Sequence, residues 1–164
     1  MSEDTELPTG SDGQVATDPI WSPLRCEKLV TFAGATSNAW GDKDGSLAAG
    51  AIFTVTGTVR VRIVAVCETL LTGAGKLEVG VTGLTAGLIA QIASAESIDA
   101  GEVWFGADAP ELITAITNAP EKIIPNGLDL ILTQSTADIT AGAIRFLVSW
   151  YPISKNGKVV PSGN

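Results

Sequence analysis

The side chains that perform most enzyme catalysis are absent from this chain or lack their usual partners. It contains no histidine, which excludes Ser–His and Cys–His nucleophilic pairs, imidazole bases and nearly all zinc and iron sites. Its two cysteines, Cys26 and Cys67, have no CxxC-type spacing and fall in predicted strands. We therefore interpret both as small buried hydrophobic residues. The sequence predicts no catalytic residue, no metal ligand and no cofactor.

Two short fragments resemble ligand-binding loops but lack residues that such loops need. The run GAGK at residues 73–76 is like a phosphate-binding loop, but Leu77 follows where Ser or Thr is required. The run DKDG at residues 42–45 is like a calcium loop, but uncharged residues fall at its first and last ligand positions. We interpret the first run as a turn, and a weak surface cation site at Asp42 and Asp44 stays open. No spacing among the acidic residues selects a carboxylate pair, so a hydrolase is the least favoured function.

The four tryptophans form two groups. Trp104 and Trp150 fall in predicted strands and are interpreted as core or half-buried side chains. Trp21 falls in the N-terminal segment and Trp40 in a loop over residues 34–50, where an aromatic ring can anchor an interface or stack on a sugar. Core packing and partner binding are both open for Trp21 and Trp40, and we hypothesise partner binding.

A long predicted strand over residues 58–71 organises the elements around these side chains. On one side, apolar residues recur at every second position: Val59, Val61, Ile63, Ala65 and Cys67. The other side begins with Arg60 and Arg62 and then becomes apolar, as expected for a strand with one face on a core. At about 3.3 Å per residue the strand would span roughly 45 Å, so we expect a bend or bulge within it.

Turn signals separate eight or nine short predicted strands. We expect one hairpin between residues 58–71 and 76–81, and another between residues 128–134 and 143–151. Residues 125–127, Pro-Asn-Gly, predict a turn. A strand is predicted from residue 88, with a helix over residues 88–98 as the alternative. The pattern predicts an all-β fold, a β-sandwich of jelly-roll-like type.

The chain divides into three predicted parts. Residues 1–24 form an extended acidic arm with five carboxylates and no basic residue, residues 25–154 the sandwich domain, and residues 155–164 a flexible, fraying tail. The arm is either a loose terminus or a segment that orders against a neighbouring subunit. Its candidate partner-binding side chains, to which we add Trp40 of the loop, are Leu7, Val15, Ile20 and Trp21.

Composition limits the class of ligand. The net charge of −8 and the scattered basic residues argue against nucleic acid, which requires clustered Lys and Arg. The first ten residues show no signal-peptide pattern, and the uncharged stretch 79–95 is too short and too polar to span a membrane. We therefore expect a soluble protein that is made in a cytoplasm and binds neither nucleic acid nor membrane.

Between residues 51 and 154 the order of strands and turns resembles small structural proteins of tailed bacteriophages. The resemblance is carried by FTVTGTVRVRIVAVCETLLTGAGKLEVGV, then LIAQ and EVWFGADAP, and finally IIPNGLDLILTQSTADITAGAIRFLVSWYPIS. Those proteins are virion components described as decoration or cement proteins. The resemblance implies a non-enzymatic domain that binds the major capsid protein on the capsid exterior as a homo-oligomer, with a trimer expected. The alternative is a tail, fibre or carbohydrate-binding module that uses Trp21 and Trp40 as its platform.

Overall fold

Strands dominate the computed structural model, which describes residues 23–113 and 121–163. In chain order they are β1 (Leu24–Thr31), β2 (Ala49–Thr56), β3 (Val59–Thr72), β4 (Lys76–Val81), β5 (Leu84–Ile92), β6 (Val103–Trp104), β7 (Lys122–Ile124), β8 (Leu130–Ser135), β9 (Ala141–Pro152) and β10 (Lys158–Pro161). A short 3-10 helix, Ala95–Ser97, follows β5. The strand predicted from residue 88 is therefore confirmed over its helical alternative, and it begins four residues earlier than predicted.

Two antiparallel sheets form a sandwich. The first has the order β1–β9–β3, and both β6 and β7 pair with the far edge of β3. The second has the order β10–β2–β8–β4–β5. The pairs are nested, since β1 pairs with β9, β2 with β8, β3 with β6 and β7, and β4 with β5. This nesting is a jelly-roll topology, and the predicted all-β sandwich is confirmed.

The core between the two sheets is mainly aliphatic. The five alternating residues of β3 that the sequence places on one face are each at most 3% exposed. Trp104, Phe53 and Phe146 are the largest fully buried side chains. The irregularity expected in this long strand is also present, because its register with β9 shifts on either side of Thr69.

Both predicted hairpins are wrong, although their strands are present. β3 lies in the first sheet and β4 in the second, and β8 and β9 are divided in the same way. The chain thus crosses from sheet to sheet at Gly57, at residues 73–75 and at residues 136–140. Alternation of apolar residues predicts which side chains face the core, but it does not predict the hydrogen-bonded partner. Among the described strands, β4 and β5 are the consecutive pair that forms a hairpin, across Thr82 and Gly83.

The C-terminal segment is not the fraying tail that the sequence predicts. Lys158–Pro161 form β10, which pairs with β2 and covers its outer edge. Val159 is only 3% exposed, and the Ser162 amide donates to the Ile52 carbonyl at 3.0 Å. Two adjacent valines between a lysine and a proline form too short a pattern to predict a strand. The strand forms because these residues pair with the otherwise open edge of β2.

Candidate functional site

Neither cysteine is placed to act as a nucleophile. Cys67 is 1% exposed in the core, and Cys26 is partly buried on β1. Burial raises the pKa of the Cys26 thiol to about 11. Burial and then the nearby Glu102 carboxylate raise the pKa of Cys67. Because the reactive form is the thiolate, both groups are poorly reactive near neutral pH.

In the loop at residues 42–45, the Asp42 carboxylate forms hydrogen bonds with nearby backbone amides. Asp42 accepts the amide protons of Asn38 at 2.8 Å and Asp44 at 3.0 Å. These two hydrogen bonds hold the pKa of Asp42 below its ordinary value. Lys43 forms an ion pair with Asp44. Within residues 23–113 and 121–163, no three metal-ligating side chains form a group that could hold a metal ion.

Trp40 lies in the core rather than on a binding surface. It is 8% exposed, and a side chain at Gly50 would collide with its ring. The Lys28 ammonium lies 5.6 Å from the ring centroid. The hypothesis that Trp40 offers an exposed ring to a partner is therefore wrong, because the ring is already buried where the loop packs against β2. Trp104 and Trp150 are 1% and 7% exposed, so their prediction as core residues is confirmed.

The other candidate partner-binding residues, Leu7, Val15, Ile20 and Trp21, lie outside the described residues. The described chain begins at Pro23, one residue before β1. The predicted roles of these four side chains therefore stay predictions.

The structure reveals a different candidate site on the outer surface of the first sheet. Arg25 on β1 lies opposite Ser149 on β9, which in turn lies opposite Arg62 on β3. On the same side of the sheet, Arg60 lies in the next row and Arg145 lies two rows away in the other direction. We call this surface, formed by the outward residues of β1, β9 and β3, the arginine face. It carries all four arginines of a chain whose net charge is −8.

Within the residues that the structure describes, ion pairs on the arginine face do not neutralise it. Arg145 contacts Glu68 and, at 2.9 Å, Glu27, while Arg60 and Arg62 share Glu121 at 3.3 and 3.9 Å. Four arginines against these three glutamates leave a formal charge of +1.

Two features of the arginines leave them available to a partner. Among the described residues, no carboxylate lies within the ion-pair distance of Arg25, and the ion pair of Arg62 with Glu121 is long, at 3.9 Å. Exposed pairs of the kind seen here contribute less than about 1 kcal/mol each. The arginines can therefore exchange these partners for an external carboxylate at little loss.

An apolar strip runs through the middle of the arginine face. Leu29 is 43% exposed and Leu147 is 38% exposed, and Val64 and Val66 beside them are half-buried. At one end of the strip is a concavity of about 640 Å³, lined by Pro23, Arg25, Cys26, Glu27, Arg62, Val64, Leu147, Val148 and Ser149. Exposed apolar side chains surrounded by arginines are typical of protein interfaces.

Sequence reasoning found only part of this surface. It placed Arg60 and Arg62 on one side of a strand, since two positions separate them. It missed Arg25 and Arg145, because they join the group through the pairing of β1 and β3 with β9. Charge spacing along the chain contains no signal for that pairing.

No protein-family model, curated protein or solved structure matches this chain. In the part of the chain that the structure describes, no helix has the length and apolar character needed to cross a membrane. The arginine face is thus the feature from which a function can be proposed.

Proposed function

We propose that this chain is a non-enzymatic structural protein of a phage virion, a decoration or cement protein that binds the outer surface of the major capsid lattice. The jelly roll is compatible with this role, because viral capsid proteins use it, although lectins use it too. Since one fold supports many functions, the proposal depends on the surface rather than on the topology.

The arginine face is the observation that carries the proposal. Leu29 and Leu147 would lose their exposure on binding, and arginine guanidinium groups recognise carboxylates with directional, often bidentate, hydrogen bonds. A capsid surface that presents apolar residues among Asp and Glu side chains would complement both features. Each contact need not be strong, because a lattice repeats it many times on one particle.

Association of the chain with itself is part of the proposal. An open sandwich leaves edge strands that can pair with other chains, and natural proteins cover such edges. In this fold β5 lies at one edge of the second sheet, and β1 lies at one edge of the first. We propose that a homotrimer sits where capsid subunits meet in threes, since closed symmetric assemblies are the common solution.

The alternative, a tail, fibre or carbohydrate-binding module, is weakened by one finding. The sugar platform required the exposed rings of Trp21 and Trp40, and Trp40 is buried. The net charge of −8 continues to disfavour nucleic acid as the ligand.

Particles with and without this protein provide the test. Purified virions should contain the chain, and particles lacking it should lose heat resistance that returns when the purified protein is added. A Leu147→Asp variant should fail to co-sediment with the depleted particles. The control variant Leu128→Asp, whose side chain is exposed to a similar extent (37%) in the segment between β7 and β8, should still bind. Virions without the chain, or equal heat resistance of both particles, would refute the proposal.

A further inference from the structure

The N-terminal segment and the arginine face have opposite charges. Residues 1–22 contain no basic residue, and their five carboxylates are Glu3, Asp4, Glu6, Asp12 and Asp18. The arginine face collects every arginine of the chain. A segment of charge −5 thus precedes, without interruption, the strand that carries Arg25.

The segment enters the structure at the arginine face itself. Pro23 lines the concavity together with Arg25 and Arg62. Only one residue separates Trp21 from Pro23, and Ile20 comes immediately before Trp21. Two residues span at most about 7 Å and three at most about 11 Å, so the side chains of Trp21 and Ile20 are both within reach of the concavity. Its volume of about 640 Å³ is within the range of pockets that bury aromatic ligands.

The whole segment is long enough to cover the face. Twenty-two residues reach about 70 Å when extended, whereas three strands are only about 14 Å across. The segment is therefore long enough for its carboxylates to reach all four arginines. The apolar side chains of Leu7 and Val15 alternate with the acidic residues along the segment, which matches the mixture of leucine, valine and arginine on the face.

We propose that residues 1–22 bind to the arginine face of the same chain, with Ile20 and Trp21 over the concavity and the carboxylates on the arginines. Arg25 and Arg62 would gain the carboxylate partners that the described residues do not fully provide. Leu29 and Leu147 would be removed from water, and burial of their exposed apolar surface favours docking.

Residues 1–22 are covalently connected to β1, and this connection favours docking within one chain over docking of the segment from a second copy. A short flexible connection gives an effective concentration in the millimolar range, which exceeds the concentration of a second copy in dilute solution. Docking within one chain is also independent of protein concentration. This inference concerns the free protein, so it stands or falls separately from the capsid proposal.

Trp21 is a built-in reporter for the test. The other three tryptophans, Trp40, Trp104 and Trp150, are at most 8% exposed. Subtracting the fluorescence of a full-length Trp21→Phe variant from that of the native protein therefore isolates the Trp21 signal. Each further variant is prepared with and without Trp21→Phe, so that the same subtraction applies.

Acrylamide quenching measures whether that indole is covered. At low salt we expect a Trp21 quenching constant roughly threefold below that of an exposed indole. In about 1 M salt, where the Debye length is about 3 Å, the constant should rise. Leu147→Asp and Arg62→Glu should each raise it to the exposed value, and the control Leu84→Asp should leave it unchanged. Near-UV circular dichroism confirms that each variant is folded.

Three results would overturn the proposal. An exposed Trp21 in the native protein at low salt would show that the segment is not docked. Protection that survives both Leu147→Asp and Arg62→Glu would place Trp21 on another surface. Protection that increases with protein concentration would assign the segment to a second copy of the chain.

Discussion

The ammonium group of Lys28 donates hydrogen bonds to the carbonyl and hydroxyl oxygens of Ser162, at 3.0 and 2.6 Å. The two residues lie near opposite ends of the described chain, and Lys28 is only 8% exposed. The Ser162 hydroxyl in turn donates to the Ala51 carbonyl on β2. Since β1 and β2 belong to different sheets, the C-terminal segment holds one edge of the sandwich together.

Removing the buried side chain of β10 should destabilise the domain. Val159 is 3% exposed, so Val159→Ala should lower the free energy of unfolding by about 1–3 kcal/mol through lost burial and a small cavity. Val160 on the same strand is only half-buried, and Val160→Ala should cost less than about half as much. Urea denaturation of the two variants measures the difference. Equal, negligible effects would mean that the tail is not part of the fold.

The sheet crossing after β3 should not tolerate a side chain at Gly73. Its φ is +116°, and a Cβ there would collide with the carbonyl oxygen of Asp138. Gly83 has a comparable φ of +88°, but a Cβ there meets nothing. Gly83→Ala should therefore cost about 1 kcal/mol for its backbone conformation, and Gly73→Ala should cost at least about twice that. Thermal unfolding of both variants gives the comparison, and equal losses would contradict the crowding at residue 73.

Stability should fall at alkaline pH because of Cys26. Burial raises the pKa of its thiol from 9.0 to about 11 in the folded protein, so the unfolded chain loses this proton first as the pH rises. Folding then becomes less favourable between about pH 9 and 11, by roughly 1–2 kcal/mol. The loss should be smaller in Cys26→Ala, with the contribution of Cys67 remaining. Urea denaturation at several pH values tests this, and identical pH profiles would refute it.

Substitution of Trp40 should affect stability. Because its ring is packed in the core, Trp40→Ala should lower the free energy of unfolding by about 3–5 kcal/mol. Trp40→Phe should cost less, since it retains part of the packing. Chemical denaturation measures both losses. If Trp40 were instead an exposed ring used as a sugar platform, its removal would leave the free energy of unfolding nearly unchanged.

The sequence predicted local features of the fold well. The alternation in β3 identified its buried face, because a strand turns every second side chain to the same side. The predicted turn at Asn126 and Gly127 is confirmed by their φ angles of 55° and 71°, which few residue types adopt without strain.

Features that depend on contacts between distant strands could not be predicted from the sequence. The hairpin predicted for β8 and β9 assumed that neighbours in sequence pair, whereas β8 pairs with β2 and β4. The arginine face was missed for the same reason, because Arg25 reaches Arg62 only through Ser149. The burial of Trp40 depends on Gly50, whose role is invisible until the loop is folded onto β2.

The nested strand order also determines when each part of the domain can form. β1 leaves the ribosome first, yet its partner β9 is made almost last. The earliest pair that synthesis completes is β4 with β5, so we expect folding to start at this hairpin and to spread outward toward the termini. Such long-range pairing is typical of domains that fold in milliseconds to seconds. A ribosome that stalls before β9 would therefore release a chain with an unpaired β1 edge, which is prone to aggregate.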